Sequence, residues 1–170
     1  MIKAAQQTIS SQVTLAPGEF YFGTGHTRIS TLLGSCIAIT MWHPKLLVGG
    51  MCHYLLPKGS GRQRLNHGSY ADEAMALFLK AINKTATRPE EYEVKVFGGG
   101  NMFRTSTQKT GVINVSKSNI DTADILLKEN GFTIKSQDVG GAFHRKVNLE
   151  LWSGDVWVKR GASSCNIEGK

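Results

Sequence analysis

Two kinds of hydrophobic pattern alternate along the 170 residues of this chain. Positions 37–42 and 47–56 are nearly continuous apolar runs, partly β-branched, and they flank His43-Pro44-Lys45, which predicts two strands joined in a hairpin. From 69 to 84 the period changes: Ala71, Ala74, Met75, Phe78 and Ile82 recur at three- and four-residue steps, the stripe of an amphipathic helix, with Ser69 and Asp72 as a short capping box. A strand at 93–97 runs into Gly98-Gly99-Gly100. A second helix at 119–130 places Ile120, Ala123, Leu126 and Leu127 on one side and stops at Gly131, the residue type best suited to a left-handed C′ position. Strands at 132–137, 146–152 and 156–159 follow, the last two turning at Ser153-Gly154-Asp155. Strands dominate and hairpins precede helices, so the expected class is α+β: a single domain spanning 1–170, with a mostly antiparallel sheet, two main helices and a loose C-terminal tail.

Composition narrows the setting. Apolar residues make up 41% and charged residues 19%, enough to bury a core without disulfide staples. No segment approaches the roughly 18 apolar residues of a membrane span, and residues 1–10 carry no signal-peptide pattern. A cytoplasmic protein without membrane insertion is the economical expectation, and there Cys36, Cys52 and Cys165 read as free thiols. The net charge of +7 resides mainly in the first half, with Lys58, Arg62 and Arg64 its densest piece. No aromatic residue interleaves with these cations, which argues against nucleic acid and fits an acidic protein partner equally well.

The hairpin carries the candidate chemistry. With its turn near position 45, residues facing one another have numbers summing to about 90, so Cys36 comes opposite positions 53–55, within one pairing step of His53. Cys52 points to the other face, since side chains alternate along a strand. An imidazole beside a thiol can take its proton or stabilise its thiolate, and the Gly34-Ser35-Cys36 turn can offer backbone N–H groups to an oxyanion. The competing reading makes Cys36 a small core residue and His53 a satisfied core histidine.

At these residues the chain resembles a family. Thr31-Leu32-Leu33-Gly34-Ser35-Cys36-Ile37-Ala38-Ile39 and Gly49-Gly50-Met51-Cys52-His53-Tyr54-Leu55-Leu56-Pro57 resemble the two signature blocks of CheD, the chemoreceptor glutamine deamidase. Further blocks follow in order: Tyr70-Ala71-Asp72, Lys95 through Phe103, Asp138-Val139-Gly140-Gly141 and Arg145-Lys146-Val147. The resemblance covers a core at about 18–160 and implies mostly antiparallel β-sheet layers in an α/β/β sandwich and a cysteine amidohydrolase, with Cys36 as nucleophile and His53 as base; no cofactor is expected, and the lack of a CxxC pair argues against a metal site. A family threonine six residues before the cysteine orients the histidine; register puts that role on Ser30, with Thr31 one step later as the substitute. Implied partners are methyl-accepting chemotaxis receptors, as substrates for deamidation and for glutamyl methyl ester cleavage, and the phosphatase CheC, whose binding is the non-catalytic alternative. Departures from the family pattern are Cys52, His144 and Val115-Ser116-Lys117-Ser118-Asn119 in place of an Ile-Gly-x-Arg-Asn block. The Gly98-Gly99-Gly100 run lacks any phosphate-loop signature and reads as a tight turn beside the site, with Asn101 or Phe103 shaping the groove.

Overall fold

A computed structural model describes residues 11–59, 67–101 and 114–161. Nine strands form two sheets: β1 (Ser11–Leu15), β2 (Phe20–Thr24), β3 (Thr27–Leu33), β4 (Ile37–His43), β5 (Val48–Tyr54), β6 (Glu93–Gly98), β7 (Ile134–Val139), β8 (Arg145–Glu150) and β9 (Val156–Arg160). Two helices, α1 (Ala71–Thr85) and α2 (Val115–Glu129), complete the set. The five-stranded sheet runs β2-β5-β4-β6-β7 and the four-stranded sheet β1-β3-β8-β9. Five of the seven strand pairings are antiparallel; β1–β3 and β6–β7 are parallel.

Strands β4 and β5 are buried at every position because they lie inside the sandwich. One face meets the helices through Ile37, Ile39, Cys52, Tyr54, Met75, Phe78 and Leu127. The other meets the four-stranded sheet through Ala38, Met51, Phe97, Leu33, Val147 and Leu149. Two apolar layers with helices on one side make the α+β class expected from the pattern and the sandwich implied by the resemblance.

Several local expectations are revised. Helix α1 starts at Ala71 after Tyr70, which makes no side-chain cap bond, so the Ser69–Asp72 capping box does not form; Glu73 Oε2 instead accepts from the Gly68 N–H at 3.2 Å. Helix α2 begins a turn earlier than its apolar stripe indicates, because the Asn114 side chain caps it by accepting from Lys117 N–H at 3.1 Å. Gly131 closes that helix with φ of 81°. Strands β1, β2 and β3 had no counterpart in the hydrophobic pattern. Arg62, Arg64, Met102, Phe103, Cys165 and the C-terminal tail from 162 lie outside the described residues.

Candidate active site

The β4–β5 register pairs Ile37 with Tyr54 and Ala38 with His53, so facing numbers sum to 91. Cys36 sits one residue before β4, two along from Ala38, and shares the inner face with His53 as a diagonal neighbour. Cys52 packs on the helix side, where burial pushes its thiol up to about 12 and leaves it inert at neutral pH.

His53 is only 2% exposed, and its surroundings define its protonation. Its backbone is pinned by the loop between β1 and β2: the Gly18 N–H donates to His53 O at 2.7 Å, and His53 N–H donates to Glu19 O at 3.0 Å. Its Nδ1 lies 2.7 Å from the Thr31 hydroxyl oxygen, while that hydroxyl donates its one proton to Leu15 O at 2.8 Å. With that proton committed, Thr31 Oγ1 must accept from the ring, so Nδ1 carries the hydrogen and Nε2 presents a lone pair. Nε2 is buried and makes no hydrogen bond among the described residues. Burial lowers the imidazole pKa to about 4, against smaller upward effects from the Leu15 carbonyl and the Glu19 carboxylate, so the ring is neutral at pH 7. A neutral, oriented imidazole with an unengaged Nε2 is built to accept a proton.

Ser30, favoured by register for orienting the histidine, does not reach it. It faces the opposite side of β3 and donates to Asn148 Oδ1 at 2.6 Å. The reason is strand alternation: Thr31 pairs with Leu15 and points inward, so its neighbour points out.

The thiol is half-buried, and desolvation raises its pKa; the Ser35 side chain and the Cys36 backbone N–H work in the opposite direction. Thiol and imidazole therefore rest as a neutral pair. Three successive carbonyls of the thiol-bearing loop are held from two sides, by the glycine turn after β6 and by α2. Gly34 O accepts from Gly100 N–H and Cys36 O from Gly99 N–H, each at 2.8 Å, and Ser35 O accepts from Asn119 Nδ2 at 3.2 Å. Asn119 Nδ2 also donates to Leu55 O at 2.8 Å, which ties the Cys36 loop to the end of the His53 strand. Asn119 itself is fully buried, with Tyr54 Oη donating to its carbonyl at 2.5 Å. Sequence reasoning assigned it no role. Its signal was a polar residue in helical phase with Ala123 and Leu127 on the buried stripe of α2.

The triple glycine is explained by the same packing. Gly98 has φ of 112°, and a Cβ there would overlap the Cys36 carbonyl oxygen, while one on Gly99 would collide with Ile120. Behind it, buried Arg145 donates to Gly140 O at 2.7 Å and to Asp138 Oδ1 at 3.1 Å, so the late sequence blocks brace the glycine turn. Among the described residues no cluster of three or more His, Cys, Asp or Glu side chains is placed to hold a metal ion.

A half-buried thiol and a buried imidazole thus share one face at the β4–β5 hairpin, with the thiol-bearing loop clamped by backbone contacts. The comparisons with known proteins carry this further. Residues 55–160 match the family model described as CheD chemotactic sensory transduction. A probable chemoreceptor glutamine deamidase CheD of Pseudomonas syringae pv. syringae is 44% identical over 88% of this chain and 84% of its own. Probable chemoreceptor glutamine deamidase CheD 3 of Dechloromonas aromatica is 44% identical over 86% of each chain. The chain belongs to the CheD family. Among solved structures, a Bacillus licheniformis hypothetical protein, YfiH, aligns with a TM-score of 0.49 and 8% identity over 72% of this chain and 51% of that one.

Proposed function

We propose that this protein is a cytoplasmic hydrolase that converts glutamines of methyl-accepting chemotaxis receptors to glutamates in chemotactic adaptation, with Cys36 as nucleophile, His53 as general base and acid, and Thr31 as the group that orients His53. The observation that carries the reading is the proton-free Nε2 of His53 on the same face as the Cys36 thiol, its tautomer set by the chain of bonds through Thr31 to Leu15 O. The relatives' names and the family match support the substrate class.

The reaction is balanced by these groups alone. The Cys36 thiol proton passes to His53 Nε2 as Sγ attacks the glutamine carboxamide carbon. The tetrahedral intermediate collapses with cleavage of the C–N bond, the imidazolium proton leaving with ammonia, and a thioester remains. His53, neutral again, takes a proton from water as the oxygen attacks; the C–S bond breaks and the thiol is restored. Both half-reactions use one residue as base and then acid, a role that the neutral resting ring suits. A glutamyl methyl ester would follow the same course with methanol as leaving group. The testing experiment incubates the protein with receptor cytoplasmic fragments and measures peptide masses. Amide-to-acid conversion at defined glutamines is expected; no conversion on any receptor would overturn the proposal.

A further inference from the structure

The outer face of the four-stranded sheet carries an arrangement that the chemistry above does not use. Its pairings place Leu32 opposite Lys146 and Lys146 opposite Lys159, three outward side chains in one row across β3, β8 and β9. The next row is Ser30, Asn148 and Trp157. Leu32 is 62% exposed and Trp157 61% exposed, large apolar surfaces in the open on either side of two lysines. Like charges directly opposed across strands are destabilising, and neither lysine has an acidic partner among the described residues. The adjacent inward pair shows the contrast: Arg145 and Arg160 also face one another, and Asp138 bridges them at 3.1 and 3.0 Å. The acid at the far end of the sheet, Glu150, is likewise taken by Arg28. Among the described residues, every cross-strand cation on this sheet is thus neutralised except the Lys146–Lys159 pair.

We propose that this row is a docking surface for an acidic amphipathic helix of the protein substrate, with Lys146 and Lys159 meeting carboxylates one helical turn apart and Leu32 and Trp157 receiving apolar side chains. The dimensions agree. Neighbouring strands lie about 4.8 Å apart, and helix residues at i and i+4 lie about 5–6 Å apart, so a helix laid across the strands presents one turn to each. The row is also next to the chemistry: Leu32 is four residues before Cys36, at most about 13 Å of extended chain, comparable with the width of one helix. A second copy of this chain is a poorer occupant, because an isologous contact would set the lysine pair against its own copy.

The proposal rests on the reading that the substrate is a receptor protein, and the experiment separates the two. Deamidation of a receptor cytoplasmic fragment is followed for the wild type and for Lys146→Glu/Lys159→Glu, with the milder Lys146→Gln/Lys159→Gln as a second variant. Cys36 alkylation by iodoacetamide reports the site without docking. The charge reversal is expected to raise KM by roughly tenfold, the Gln pair by roughly threefold, with kcat and the alkylation rate unchanged. An added receptor fragment should change wild-type fluorescence, and Trp157→Phe should remove that change. Unchanged KM in both lysine variants overturns the docking surface, as does a matching loss of kcat and alkylation. If the wild type deamidates no receptor, fluorescence still decides: a salt-sensitive change lost on lysine reversal keeps the docking surface without the reaction, and no change sinks it.

Discussion

Replacing Thr31 with Val keeps the shape of the side chain and removes the hydroxyl that accepts from His53 Nδ1 and donates to Leu15 O. The ring is 2% exposed, so water cannot substitute. A buried donor without its acceptor costs about 1–3 kcal/mol. The ring can avoid that cost by moving its hydrogen to Nε2, the atom that must accept the thiol proton. Either route removes the competent base from the ground state, and the same 1–3 kcal/mol corresponds to a fall in kcat/KM of roughly 5- to 150-fold. Ammonia release from a receptor fragment is the assay. Thr31→Ser, which keeps the hydroxyl, should restore most of the rate. Ser30→Ala breaks only the outward bond to Asn148 and should leave the rate within about twofold of wild type. Full activity in Thr31→Val, or a loss in Ser30→Ala as large as that of Thr31→Val, would refute the assignment.

Acid should destabilise the fold through His53. Its pKa falls from 6.5 to about 4 on folding, so the unfolded chain binds the extra proton; the stabilisation is complete above pH 6.5 and is lost as pH drops toward 4. Its full extent is on the order of 3 kcal/mol, read as a lower urea midpoint at pH 4.5 than at pH 7 and flattened in His53→Gln. Asn119→Ala leaves the Ser35 and Leu55 carbonyls without their donor, and should lower kcat and slow iodoacetamide modification of Cys36 by several-fold at a stability cost of about 1–3 kcal/mol. Gly98→Ala combines a left-handed φ with overlap on Cys36 O and should cost well over about 2 kcal/mol. Gly25→Ala, at a similar φ with nothing within 4 Å, should cost only about 1 kcal/mol in the same denaturation series.

The hairpin was legible because β4 and β5 are buried on both faces and therefore appear as unbroken apolar runs, with a turn between them that fixes their register. That alone brought Cys36 and His53 to one face and sent Cys52 to the other. Strand β3 was not legible, since Thr27, Ser30 and Thr31 are polar yet buried, Thr27 satisfied locally by Thr24 O and the other two by Asn148 and Leu15 O from distant strands. The choice between Ser30 and Thr31 depends on β1 pairing in parallel with β3, a contact between segments that share no hydrophobic period. Counting residues back from the cysteine points to Ser30; the sheet puts the Thr31 hydroxyl against His53 Nδ1 and turns Ser30 toward Asn148. Asn119 escaped for a related reason: its partners, Ser35 O and Leu55 O, are backbone atoms on two other elements, and no side-chain pattern marks a carbonyl.

The central claim is that one thiol of this chain performs the hydrolysis, and the direct measurement is ammonia release, with peptide masses, from a receptor fragment treated with wild type and with Cys36→Ala. Cys36 is half-buried at a loop, so the substitution leaves the core intact. Steady ammonia release and new glutamates are expected with the wild type and neither with Cys36→Ala; release that continues without the thiol would rule out Cys36 as the nucleophile.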